Sequence, residues 1–273
     1  MTNSIRSNLN KDEIISEIKL SMNADYLENK KVFLLVEGNS DVLFLKKFAN
    51  EDVELLESFS GKQGVKYIVE HFSNDKVIGI CDRDYDYAYQ NNHIFYYDYS
   101  TLEIMIVHND NVFENVTAEY YYGEMCFNEL RIHILKQLCW LSTFRKYSFD
   151  KNIGINFNGL SIAELLSNGI FSRERALEKL NLINSKDLRE YTELFQIETD
   201  NIDNLYNITQ GHDFIKAFQK LCQDENDKSD KKAKIPNLNM MESIFRCSFR
   251  IEDLMQTQLY KDINGRGIDI FIQ

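Results

Sequence analysis

No stretch of this chain is apolar for long enough to cross a membrane. The longest uninterrupted apolar run is Val32–Val36, far short of the ~18 residues a spanning helix requires. The opening residues also lack the apolar stretch of a signal peptide, so the expectation is a cytoplasmic protein without membrane contact. Cysteine is sparse. Cys81, Cys126, Cys139, Cys222 and Cys247 form no Cys-x-x-Cys and no Cys/His pair at zinc spacing, which argues against structural zinc and predicts reduced thiols. No Gly-x-x-x-x-Gly-Lys-Ser/Thr loop occurs, so any ATPase must be a separate chain. There are no internal repeats. Basic residues are outnumbered, 31 Lys and Arg against 43 Asp and Glu, for a net charge of −12. That argues against a general nucleic-acid coat, whose backbone affinity comes mainly from clustered Lys and Arg. It leaves room for an enzyme that grips its substrate through metal ions and one local basic face, and it suits docking on a basic partner.

What is present is organised around residues 31–48 and 77–86. Val32–Val36 reads as a buried parallel strand that stops at Glu37-Gly38. Asn39 or Ser40 then caps a helix with Val42, Leu45 and Phe48 at a spacing of three. Residues 53–59 read as a second strand, and Gly61-Lys62-Gln63-Gly64 turns into a helix carrying Val65, Ile68, Val69 and Phe72. The third strand, Val77–Cys81, ends in Asp82, Asp84 and Asp86. Residues two apart on an extended chain point the same way, so these carboxylates are expected to converge. A fourth strand at 94–97 leads to Ser100 or Thr101 as the cap of a helix with Leu102, Met105 and Ile106 inward and Glu103 near its start. Ahead of all this, Asn10 and Glu13 form a capping box for a helix with Ile14, Ile15, Ile18 and Met22 on one face. The alternation predicts an α/β fold, a parallel sheet flanked by helices, with acids just past the carboxyl ends of neighbouring strands.

Beyond residue 112 the pattern turns to helices only. Phe127, Leu130, Ile134, Leu138 and Leu141 form a long stripe, and shorter helices follow near 161–167, 172–182 and 185–198. Tyr120-Tyr121-Tyr122 reads as exposed, a base-stacking platform or, more simply, a subunit contact. Gly211-His212-Asp213 leads a helix marked by Phe214, Phe218, Leu221 and Cys222. Residues 223–239, with the single proline Pro236 and Lys231-Lys232-Ala233-Lys234, read as a charged, solvated loop. The expected division is a core over residues 1–111, a helical insertion over 112–200, and a C-terminal helical segment over 201–273 packing back on the core.

Several carboxylates in one pocket repel one another, so the acidic cluster calls for a hard divalent cation bound through oxygen. Glu37 is expected to be a metal ligand or general base, Asp82 and Asp84 metal ligands, and Asp41 and Asp86 supporting ligands. The plain alternative is a solvated turn after a strand. An EF-hand starting at Asp82 would need Gly and Glu where Tyr87 and His93 stand, which excludes it. Lys62, with the amides of Gln63 and Gly64, is placed to hold a phosphate, or is an ordinary exposed lysine. His212 is a candidate phosphate contact or proton shuttle, or a structural histidine. Arg83 should point away from the acids as a strut.

Val36-Glu37-Gly38 with Asp41, followed by Asp82-Arg83-Asp84-Tyr85-Asp86, resembles the Toprim domain, a metal-binding phosphoryl-transfer module. The run from Asp98 to Glu103 and the later Gly211-His212-Asp213 narrow the resemblance to the AriB-type Toprim nucleases of the PARIS phage-defence system, relatives of the overcoming-lysogenization-defect (OLD) nucleases. The resemblance implies a Toprim-type, Rossmann-like sheet and a magnesium-dependent nuclease, with manganese as a substitute ion. It implies a toxic effector restrained by an ATPase sensor partner, active as a homodimer, with RNA (tRNA among the candidates) favoured over DNA as substrate. It also implies that Glu103 serves a second metal. The other readings kept open are an OLD-like DNA nuclease and a non-catalytic Toprim adaptor.

Overall fold

The structure, a computed structural model, describes residues 10–24, 31–229 and 234–272. The chain divides into two compact units. One takes the chain to Asp98 together with the segment from Arg250 onward; the other is Tyr99–Phe249. The divisions thus fall after residues 98 and 249, not after 111 and 200.

In the first unit, α1 (Lys11–Ala24) starts at the capping box the sequence predicts. Asn10 Oδ1 accepts from the amides of Asp12 and Glu13 at 3.0 and 3.1 Å, and Glu13 Oε2 accepts from the Asn10 amide at 2.6 Å. There follow β1 (Val32–Val36), α2 (Asn39–Leu45), β2 (Val53–Glu57), α3 (Gly61–Phe72), β3 (Val77–Cys81) and β4 (Ile94–Tyr96). The four strands form one parallel sheet in the order β2-β1-β3-β4. Leu34 lies beside Leu55 on one side and Ile78 on the other, and Ile80 beside Phe95. Phe33, Leu35, Val77, Cys81 and Ile94 pack with Ile14, Ile15 and Ile18 of α1 and Val65, Ile68 and Val69 of α3. Leu34, Val36, Ile78 and Ile80 alternate to the other face and are buried too, so the sheet is covered on both sides, as parallel sheets are. Each fully buried aliphatic side chain here contributes about 1.5–3 kcal/mol. A Cβ on Gly79 would lie 2.5 Å from Val65 Cγ1 and 3.3 Å from Val69 Cγ2; the bare glycine is what lets α3 settle onto β3.

The cap of α2 is neither Asn39 nor Ser40. Gly38 is the cap, in extended backbone that any residue adopts, and Asp41 Oδ2 accepts its amide at 3.0 Å. The helix stops at Leu45, yet Phe48 remains buried just beyond it, its ring 5.2 Å from that of Phe44.

The second unit holds α4 (Leu102–His108), α5 (Asp110–Tyr120), α6 (Phe127–Asp150), α7 (Ile162–Leu165), β5 (Leu166–Ser167), β6 (Ile170–Phe171), α8 (Arg173–Asn184), α9 (Arg189–Thr192), α10 (Ile202–Ile208), α11 (Gly211–Lys228) and α12 (Leu238–Ser248). Of the two candidate caps for α4, Thr101 takes the role, its hydroxyl accepting from the Ile104 amide at 3.3 Å. Leu130, Ile134, Leu138 and Leu141 of α6 are buried as the stripe predicts. The rings of Phe113, Phe214, Phe218 and Phe245 join α5, α11 and α12 in one aromatic cluster. Three expectations are corrected. The region is not purely helical: β5 and β6 form a small antiparallel hairpin turning on Asn168 and Gly169, both at positive φ, the dipeptide such turns favour. Tyr121 is buried and only Tyr122 of the three tyrosines is largely exposed, so no three-ring platform exists. Helix α11 continues to Lys228 through residues expected to be loop, because its charges pair along the helix: Lys220 with Asp224, and Lys228 with Glu225 at 2.6 Å. Lys231-Lys232-Ala233 lies outside the described residues.

The chain then returns to the first unit as α13 (Ile251–Gln256) and α14 (Gln258–Gly265). The Asp98 carboxylate accepts from the amides of Gln258 and Leu259 at 2.8 and 2.9 Å, anchoring the start of α14. Phe271 then pairs antiparallel with Ala49. Among the described residues no helix is long and apolar enough to cross a membrane.

Candidate functional site

Strand β1 lies inside the sheet; the chain leaves it for β2 on one side and then crosses to β3 on the other. That reversal is a topological switch point at the carboxyl ends of β1 and β3, where open α/β sheets place their ligands. Glu37 directly follows β1 and Asp82 directly follows β3. The Asp82 amide donates to Glu37 Oε1 at 2.8 Å, tying the two strand ends together. Burial pushes the Glu37 carboxyl from its ordinary 4.5 up to about 7, opposed by the Asp82 amide and Lys62 and reinforced by Asp84 and Asp41. A carboxyl of that acidity changes protonation state near neutral pH, as a general base does.

The three aspartates do not line up as strand alternation predicts. β3 ends at Cys81, and Asp84 sits in the left-handed region at φ +48°, a conformation aspartate tolerates better than most residues. The turn sends the carboxylates to different partners. Lys62 Nζ donates to Asp84 Oδ2 at 2.8 Å and to the Arg83 carbonyl at 3.1 Å. Lys66 Nζ donates to Asp86 Oδ2 at 2.5 Å and lies 3.7 Å over the Tyr89 ring; this hydrogen bond holds Asp86 below the usual carboxylate range. Lys66 was not anticipated, although its signal is plain: it stands one turn after Lys62 on α3, so both ammonium groups face the same loop. Arg83 does serve as a strut, its guanidinium stacked 5.0 Å from the Tyr96 ring and 5.7 Å from that of Tyr87. The proposed phosphate cradle is incomplete, since the Gly64 amide already donates to the Ser60 carbonyl at 3.2 Å within the first turn of α3. Asp41 caps α2 and, after burial, is the leading cause that raises the pKa of the enclosed Tyr97 phenol.

The donor set around Glu37, Asp41, Asp82 and Asp84 consists of carboxylate oxygens, the chemistry a hard divalent cation selects. Burial disfavours the ionised form of Glu37, a penalty that a cation would offset, and at Asp84 the Lys62 ammonium already fills that role. Among the described residues, however, no three His, Cys, Asp or Glu side chains are gathered closely enough to hold an ion. Asp84 and Asp86 are turned to their lysines instead.

Glu103 and His212 belong to the second unit. Glu103 is buried in the first turn of α4. A Cβ on Gly211 would fall 2.6 Å from Glu103 Cβ and Oε2 and 2.4 Å from Thr101 Oγ1, so the start of α11 fits against α4 only as glycine. His212 Nδ1 lies 2.8 Å from Glu242 Oε1, with the imidazole 59% exposed and the carboxylate 10%. The partner of His212, Glu242 on α12, could not be found from sequence spacing. Their hydrogen bond raises the histidine pKa above 6.5 and lowers that of Glu242 below 4.5. A raised histidine stabilises the fold at low pH and loses that contribution as pH climbs through its folded pKa; a lowered carboxylate loses its contribution as pH falls. The pair is therefore most stabilising between about pH 4.5 and 6.5, by less than about 1 kcal/mol given the exposed ring. Urea unfolding of the parent chain and Glu242→Gln should differ most in that window and converge as pH rises above the histidine's folded pKa. A difference that grows toward pH 9 would refute the pairing. Compared with known proteins, the chain matches no family model and no curated protein.

Proposed function

We propose that this chain is a magnesium-dependent phosphodiesterase of the Toprim type, a cytoplasmic nuclease that cleaves RNA and serves as the toxic effector of an anti-phage pair. The observation that carries the reading is the junction of Glu37 and Asp82 at the sheet's switch point, two acids directly past the carboxyl ends of neighbouring parallel strands. By the resemblance, Asp82 and Asp84 would hold the ion, with Glu37 a further ligand or the general base and Asp41 and Asp86 in support, once Asp84 and Asp86 give up their lysines; manganese would serve in magnesium's place. When bound, such an ion supplies charge to phosphoryl oxygens and makes water more acidic. The chain's own groups do the rest. Glu37, in its ionised form, accepts the proton of the attacking water. Lys62 offers an ammonium to a phosphate oxygen. The Asp82 amide holds Glu37 in place through the turnover. Glu103 and His212 enter this reading through the resemblance alone, as do the ATPase partner, the homodimer and the choice of RNA.

A second reading has its own support. The ion pairs on Asp84 and Asp86 and the net charge of −12 suit a non-catalytic adaptor that docks on a basic, ATPase-bearing partner. Incubating the chain with labelled total RNA and with plasmid DNA, with magnesium, manganese or chelator, separates the readings. Metal-dependent RNA cuts are expected. DNA nicking alone would move the chain to the OLD-like nucleases, and metal-bound protein that cuts neither, in the presence of a candidate ATPase partner, would favour the adaptor.

A further inference from the structure

We infer that the exposed ring of Tyr87, backed by the Arg83 guanidinium, is a stacking platform for an unpaired base of the nucleic-acid strand that the site cuts. The inference rests on the nuclease reading above and names the form of its substrate. The Arg83 guanidinium lies 5.0 Å from the Tyr96 ring and 5.7 Å from that of Tyr87. One cation thus joins a ring at the end of β4 to a ring at the surface. Tyr96 is half-buried against the core of the sheet, whereas Tyr87 is 44% exposed. The Tyr87 phenol feels both the Arg83 guanidinium and the Asp84 carboxylate, so the ring stands beside the acids that follow β3.

The loop is set before a ligand arrives. Asp84 turns the backbone at φ +48°. Lys62 Nζ and the Asp86 amide both donate to the Arg83 carbonyl at 3.1 Å, and the Tyr87 amide donates to the Tyr85 carbonyl at 3.2 Å. Lys66 holds Asp86 at 2.5 Å. A ring on a fixed loop loses little freedom on binding. Tyr89 is engaged elsewhere, its hydroxyl donating to Glu70 Oε1 at 2.5 Å and its face receiving Lys66. Charge then decides how a strand is held. In a chain of net charge −12, the two lysines at this loop are bound to Asp84 and Asp86, and affinity for a phosphate backbone comes from such cations. Stacking on an aromatic face needs no net charge, and a guanidinium behind the ring strengthens it. A base inside a duplex has both faces covered by its neighbours, so the platform selects an unpaired strand.

The test is fluorescence anisotropy with a labelled single-stranded RNA about 12 nucleotides long, in chelator so that nothing is cut. The full parent chain is compared with Tyr87→Phe, Tyr87→Leu and Tyr87→Ala, each shown to be folded by urea unfolding. Tyr87→Phe should bind as the parent does. Tyr87→Leu, which keeps apolar bulk without a π face, and Tyr87→Ala should bind about tenfold more weakly. That factor should be the same at low and high salt, because no charge is removed. A duplex of the same sequence should bind more weakly to the parent and be indifferent to residue 87. Tyr87→Leu alone decides the matter should Tyr87→Ala not fold. If Tyr87→Leu binds the single strand as tightly as the parent, or loses duplex affinity by the same factor, no base sits on the ring and the platform is refuted. Cleavage in magnesium keeps the two readings apart. A parent that cuts RNA while its binding ignores residue 87 loses the platform and keeps the nuclease. A parent with ring-dependent binding that cuts nothing keeps the platform and loses the nuclease. A folded parent that neither binds nor cuts the strand loses both.

Discussion

A Glu37→Gln chain is expected to lose metal-dependent phosphodiester cleavage by at least about 100-fold, the scale of a general base or a charged ligand removed from an active site, while folding at least as stably as the parent. The substitution keeps shape and removes a charge. It weakens one acceptor of the Asp82 amide without deleting it, and it ends both candidate roles of Glu37, proton acceptor and ion ligand. The stability half separates chemistry from collapse. A carboxyl whose folded pKa is raised holds its proton more tightly folded than unfolded. The metal-free parent should therefore lose stability as pH rises from about 4.5 through about 7, by no more than about 3 kcal/mol. Glu37→Gln has nothing to ionise there and should lack that decline. In chelator at pH 8 the variant should match or exceed the parent in urea unfolding, while gel assays of labelled RNA in magnesium show its cuts gone. Cleavage at the parental rate would remove Glu37 from the chemistry. A variant that unfolds at lower urea would show that the carboxylate is a structural tie between β1 and β3.

Much of the first unit could be read from the chain because its signals are local. Five-residue apolar runs alternating with helical faces specify parallel strands and their covering helices, and the bounds of β1 and β3 match the expectation residue for residue. Asn10 and Glu13 announce α1 through a cap that spans three residues. The placement of Glu37 and Asp82 followed from the same pattern, since residues after neighbouring parallel strands must share an edge. The failures occurred where long-range partners decide. Strand alternation stops at Cys81 because the backbone turns at Asp84, and the turn is stabilised by Lys62 and Lys66 from another element. No spacing rule links residue 62 to residue 84. Helix α11 outruns its expected end because a run of charged residues reads as solvated loop, whereas their i,i+4 pairing equally marks a helix surface. The hairpin at Asn168-Gly169 leaves only a faint mark in the sequence: two residues per strand are too few for periodicity to register, and only the turn dipeptide carries the signal.

Gly79→Ala should cost about 2 kcal/mol, and most of that loss should vanish when Val65 is truncated as well. The added Cβ would lie 2.5 Å from Val65 Cγ1, closer than two carbons can approach, so a neighbour must move. Val65 cannot easily oblige. It is β-branched and sits within α3, where one χ1 rotamer dominates, and turning it would drive a methyl into a core that is already filled by Ile68, Val77 and Ile94. The strain therefore passes to the separation of α3 from β3, an overpacking penalty of roughly 1–3 kcal/mol. Val65→Ala alone should also destabilise, by roughly 1–3 kcal/mol, because it leaves a void over Gly79. In the double variant the alanine methyl at 79 fills part of that void, so the two losses should fall short of additivity by at least about 1 kcal/mol, well beyond the scatter of independent sites. Urea unfolding of the four chains at pH 7 reads this directly. The same contact bears on the switch point, since α3 carries Lys62 and Lys66 and β3 ends one residue before Asp82. Gly79→Ala should thus loosen both ion pairs, and the second truncation should restore them. Additive losses would mean that α3 shifts freely over the sheet, and the positions of the two lysines would then need another cause.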